Sequence, residues 1–272
     1  MSTALDDLLA PRGAAAPPAI FIDHTAFGAG RILRAPLPWT DAPEVAAYYG
    51  KAQALLGSDA TVVPVAPLVE AVLAEHPSLV EDMAARSRTG YALRTLLASD
   101  TVGEALSRAL AAIPHMSRAP LALLAPSPLV WLAMAQRAAG NPDLSAVTPD
   151  HGESAAMYVS DWLRRYADRP ITCLVLDGRH EGLEGQGSSR VLPAEDLAAY
   201  SPVVNAAEHY RWGVLHMTEE GVGVAGEART AARLPDGFWT DGAPAPEAEL
   251  LLTAVPAAAD PDTVLARLAS LR

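Results

Sequence analysis

The chain has 272 residues, half of them apolar and 19% charged, so it can bury one full core and global disorder is excluded. Acidic residues outnumber basic ones 32 to 20, and a formal net charge of −12 leaves nothing to draw the chain to nucleic-acid phosphates. Cys173 is the only cysteine, which excludes an internal disulfide and a cysteine-based zinc knuckle. No apolar run reaches the length of a membrane span, and the Met-Ser-Thr-Ala-Leu-Asp-Asp start lacks a basic segment and an apolar core, so a cytoplasmic protein with no membrane partner is expected.

Residues 1–18 are rich in alanine and proline and read as a flexible N-terminal arm; residues 19–272 read as a single domain. The first strand, 19–22, ends in Asp23-His24 and runs into a glycine-rich loop carrying Arg31 and Arg34. Asp41 caps a helix whose apolar face is Val45, Tyr48, Tyr49, Ala52, Leu55 and Leu56. A β-branched strand at 61–66 follows, then helical sequence over 67–99 broken near Pro77 and Gly90, then a helix at 101–113 capped by Asp100 or Thr101. A third strand at 121–125 meets the helix start Ser127-Pro128. A helix at 154–167 leads into the strand 171–176, apolar on both faces as a buried parallel strand requires. That strand ends in Asp177-Gly178-Arg179-His180 and a Gly/Ser-rich loop to Ser189. Helical sequence at 193–210 precedes strand-like pieces at 212–216, 222–225, 237–239 and 250–255, and Asp260-Pro261 opens a last helix.

Eight strand candidates with helices between most of them predict a (β/α)8 TIM-like barrel, compact and partly degenerate in its last quarter. Residues 217–245 are too short for full helices, so the sheet there must be degenerate, open or mixed. In such a barrel the active site forms where strands end and loops begin. Asp23 and His24 are adjacent and would face opposite sides of a continuing strand; an Asp at that edge can act as a base or orient an imidazole, or merely cap its own loop. Asp177, Arg179 and His180 make a second cluster, followed by glycines 182, 185 and 187 that permit a mobile flap or an ordinary surface loop. His209, Tyr210, Arg211 and His216 make a third. Two imidazoles with Glu219 or Glu220 would suit non-haem iron, but the spacing matches no local metal motif, and Tyr210 and Arg211 read better as substrate contacts or a helix-end pair. Trp131, Trp162 and Cys173 read as core, while Trp39 and Trp239 could line a pocket. The chain has no Walker loop, dinucleotide fingerprint, nucleophile elbow or zincin motif.

The tract Ala29-Gly30-Arg31-Ile32-Leu33 after the first strand, and the helix–strand–helix series from Asp100 to Ala138 with Ala125-Pro126, resemble the uroporphyrinogen decarboxylase-like superfamily, which also holds cobalamin-independent methionine synthase and corrinoid methyltransferase barrels. In the decarboxylases an Ala-Gly-Arg tract at this place grips substrate carboxylates. Arg31 matches the second of its arginines, whereas Phe27 replaces the first and Ala125 replaces the glycine of a Gly-Pro step. The resemblance therefore implies a small anionic substrate rather than a tetrapyrrole and no obligatory cofactor; no metal is expected from the residue spacing, and an acidic surface with alanine-lined helices would suit a homodimer. The single cysteine excludes the His-x-Cys zinc arrangement of the methyltransferases.

The expected function is a lyase, decarboxylase-like, acting on a small carboxylated metabolite at the C-terminal rim. Asp23, His24, Asp177 and His216 would handle the proton, and Arg31, Arg34, Arg179, Tyr210 and Arg211 would hold the substrate. The alternatives are methyl transfer with a corrinoid or metal partner, and a non-catalytic ligand-binding barrel.

Overall fold

A computed structural model describes residues 2–10, 16–141, 143–145, 147–180, 183, 192–226 and 229–272. Among these, eight strands close a barrel in sequence order: β1 (Ala19–Asp23), β2 (Ala60–Pro64), β3 (Leu121–Pro126), β4 (Ile171–Asp177), β5 (Gly213–Met217), β6 (Val222–Val224), β7 (Ala231–Arg233) and β8 (Leu250–Ala254). The helices are α1 (Ala4–Leu9), α2 (Thr25–Phe27), α3 (Ala42–Leu56), α4 (Val65–Glu75), α5 (Pro77–Ala84), α6 (Tyr91–Ala98), α7 (Asp100–Ala112), α8 (Pro128–Ala138), α9 (Pro149–Leu163), α10 (Ser201–His209), α11 (Gly237–Thr240) and α12 (Pro261–Ser270). No helix of the described residues is long and apolar enough to cross a membrane.

Local chemistry explains most boundaries. Asp41, Ser127 and Asp260 each accept a hydrogen bond from the backbone N–H three residues on, and each helix they open has proline in its first turn. The helix at 100–112 begins after Ser99, whose side chain makes no capping hydrogen bond, so neither expected cap, Asp100 or Thr101, is at the cap position. The last quarter is mixed: β6 runs antiparallel to β5 and β7, whereas every other neighbouring pair is parallel. A tight turn after Met217 reverses the chain, and this is how a segment too short for βα units still closes the sheet. Residues 237–239, expected as a strand, belong to α11, and the seventh strand lies at 231–233 instead.

Side chains alternate across each strand. Ala19, Phe21, Ala60, Val62, Ala122, Cys173, Val175, Leu215, Met217, Leu250 and Leu252 fill the barrel. The alternate residues face the helices, as Ile20, Ile22, Val63, Leu123, Leu174 and Leu176 do. Cys173 is the small core residue expected, its thiol pushed up by burial and so kept protonated.

The segment expected as a loose arm carries α1, which closes the lower end of the barrel. Thr3 and Asp6 cap it reciprocally, and Leu5 and Leu9 join the barrel interior. Asp7 pairs with Arg211 at 3.0 Å and Asp6 with Arg229 at 3.4 Å. Gly213 has no side chain for a physical reason: a Cβ there would lie 2.4 Å from that of Leu5. Leu5→Ala should lower unfolding free energy by about 2–5 kcal/mol in urea melts, as other buried leucine truncations do. A change below about 0.5 kcal/mol would mean that α1 is not part of the core.

Candidate active site

At the opposite end the strands deliver polar groups to one opening. Asp23 stands two residues beyond Phe21, Asp177 two beyond Val175 and Arg233 two beyond Ala231, so all three share the inward parity of the core. With Arg179, Leu234, Asp236, Thr253 and Ala254 they surround a cavity of about 120 Å³; Asp177 reaches it through Arg179. Its apolar walls are Phe21, Val62, Leu124, Val175, Met217 and Leu252. Charge is therefore at the rim and the interior is apolar.

The rim is held rigidly. Asp177 takes the Arg179 side chain as a two-pronged fork, Nε to Oδ1 at 2.9 Å and Nη2 to Oδ2 at 2.7 Å, and also accepts the Arg179 backbone N–H. The backbone of that strand end is pinned on both sides: Ser127 N–H donates to the Asp177 carbonyl and Gly178 N–H to that of Met217. Asp23 Oδ1 accepts from the Thr25 backbone N–H at 2.9 Å and hydroxyl at 2.7 Å. Burial nevertheless raises the Asp23 carboxyl above the usual carboxylate range; the Thr25 hydrogen bonds and the charge of Arg179 oppose this, and Asp177 adds to it. A carboxyl that holds its proton more tightly than usual despite the charge of Arg179 is suited to giving that proton away.

The imidazoles expected here lie elsewhere. His24 follows Asp23 on the other parity and is fully buried behind the barrel wall against Tyr48 and Tyr49. The Tyr48 hydroxyl donates to the His24 carbonyl at 2.7 Å, so in the 2.8 Å contact with Nδ1 the imidazole is the donor. Nε2 is then an acceptor with no hydrogen-bond partner among the described residues. Burial holds the His24 pKa down to about 4, so it is a neutral core histidine and not a rim catalyst. In the unfolded chain the same group titrates near the ordinary 6.5. Its contribution is thus complete above pH 6.5 and lost as pH falls toward 4, by about 3 kcal/mol at ~1.4 kcal/mol per unit. Across that window the wild type should lose about that much more stability than His24→Gln; parallel curves would contradict the assignment.

His216 lies between the inward Leu215 and Met217 and therefore points outward. Its Nε2 meets Glu195 at 3.2 Å, and the same carboxylate accepts from Ser127 at 2.7 Å and Tyr200 at 2.9 Å. This buried network ties the segment at 192–196 to the ends of β3 and β5. Gly178 lies against it, because a Cβ there would be 3.0 Å from both Glu195 and His216.

The arginine assignments also change. Arg31 donates to the carbonyls of Ala258 and Ala259 at 2.7 and 3.2 Å, latching the β8–α12 loop, and Arg34 is exposed, ending a π-helical turn with φ of 55°. Tyr210 and Arg211 precede β5 at the barrel's lower end, where Tyr210 packs on His209 and Trp212 and Arg211 pairs with Asp7. The iron reading fails with them: His209 and His216 are at opposite ends of β5, Glu219 accepts the His180 N–H, and no group of three or more His, Cys, Asp or Glu among the described residues could hold a metal. Trp39 packs on Tyr49 and Trp239 donates to Thr253, so neither lines the cavity. Glycines 182, 185 and 187 lie outside the described residues.

Of the residues expected at the site, Asp23, Asp177 and Arg179 come together. Arg233 and Asp236 join them, and sequence reading missed both because β7 was not recognised; the alternation Ala231, Arg233 was its only signal. Comparison with protein-family models, curated proteins and solved structures found no match.

Proposed function

We propose that the protein is a lyase of the decarboxylase kind, acting on a small carboxylated molecule by acid–base chemistry at the barrel rim. The supporting observation is the convergence of Asp23, Arg179 and Arg233 on one cavity, with Asp23 holding its proton above the usual range. The carboxylate grip expected of Arg31 passes to Arg179 and Arg233, since these two line the cavity and Arg31 lies away from it, engaged with the β8–α12 loop. The bond to the leaving carboxylate breaks, CO2 departs, and the electron pair enters a carbonyl of the substrate itself, giving an enolate. The Asp23 carboxyl then protonates the carbon, and the resulting Asp23 carboxylate recovers its proton from solvent. Thr25 and the Asp177–Arg179 fork keep donor and grip in register, which is worth most when the reacting atoms are already aligned. A panel of small 3-oxo acids incubated in D2O and followed by 13C NMR tests the reading. Release of CO2 with one deuterium entering the product is expected, and it should be lost in Asp23→Asn. An unchanged rate in that variant would overturn the assignment.

A further inference from the structure

Building on that carboxylate reading, we infer that the cavity is shaped for an acid with one charged and one aliphatic end, seated with the carboxylate at Arg179 and Arg233 and the aliphatic end inside the barrel. The rim carries the charged side chains; Phe21 and Val175 stand two residues, about 7 Å, below Asp23 and Asp177, and Val62, Leu124, Met217 and Leu252 complete the apolar walls. None of those six side chains offers a hydrogen bond to an oxygen anion. A second carboxylate pushed down there would give up its water without a replacement partner, whereas an alkyl group would be favoured. The cavity, about 120 Å³, is far below pockets that take drug-sized ligands.

Isovalerate and malonate test this directly, because they share a carboxymethyl unit and an outline and differ in whether the far end is isopropyl or carboxylate. Calorimetric titration at pH 7 should show isovalerate binding at least about tenfold more tightly than malonate. Val62→Thr, which keeps the outline and adds a hydroxyl, should narrow that ratio, and Arg233→Met should abolish isovalerate binding, with circular dichroism checking that each variant is folded. Malonate binding as tightly as isovalerate would overturn the aliphatic seat while leaving a carboxylate site in place. Equal isovalerate affinity in Arg233→Met would overturn the seating, and absence of binding by both acids would overturn the inference and the carboxylate reading together.

Discussion

Asp23→Asn should lower turnover by about 10²–10⁴-fold without weakening the fold, the range expected when a positioned proton donor is removed. Both halves of that result follow from one environment. Asparagine keeps an oxygen for the Thr25 backbone and hydroxyl donors at 2.9 and 2.7 Å, so the local turn survives. Burial raises the Asp23 carboxyl, which means that its charged form is disfavoured in the native state and costs stability above its native titration point. An uncharged side chain relieves that cost, so the variant should melt at the same temperature at pH 7 or higher. Binding of isovalerate should persist, because the arginines supply the grip. A variant that is inactive only because it melts early would show Asp23 to be a structural cap.

Gly28→Ala should be the most damaging glycine-to-alanine change among the described residues, at about 2–6 kcal/mol. A Cβ at Gly28 falls inside the volume of Tyr48, whose hydroxyl would be 1.8 Å away and two ring carbons 2.3 Å away. Tyr48 cannot step aside cheaply, since it is buried and holds both the Nδ1 and the carbonyl of His24. Overpacking costs about 1–3 kcal/mol, and leaving the buried imidazole unpaired adds about 1–3 more. Gly223→Ala is the matched control: its Cβ would meet one atom within 4 Å, at 3.9 Å, and should cost less than about 1 kcal/mol. Equal losses in the two variants, measured by urea melts, would contradict the packing behind Asp23.

The fold was largely legible because its signals are local. Four strands ending in a change from apolar to polar, helix caps at Asp41, Ser127 and Asp260, and the shortage of residues at 217–245 required no long-range information. The site was legible by half, and the division follows strand parity. Asp23 and Asp177 share the parity of buried neighbours that fill the barrel, whereas His24 and His216 are one residue out of step and point into the helix layer. Ile171–Leu176 is apolar on both faces apart from the buried Thr172, so hydrophobicity alone does not say which face is interior; the register with β3 and β5 decides it. Arg31, Arg34, Tyr210 and Arg211 failed for a different reason. Arg31 pairs with Ala258 and Ala259 and Arg211 with Asp7, joining distant stretches of chain that no local pattern announces, while Arg34 is exposed and Tyr210 lies at the lower end of the barrel. The N-terminal helix was hidden by an alanine- and proline-rich setting, although Thr3 and Asp6 already spell its cap.

Everything proposed for the rim requires a carboxyl at position 23 that keeps its proton in a pocket able to receive another acid. Site-resolved 13C NMR of the Asp23 carboxyl, titrated with and without saturating isovalerate, measures this directly. The midpoint should lie above the ordinary value of about 3.9 and rise further when the second negative charge arrives. A midpoint at or below about 3.9 that isovalerate does not move would contradict the account.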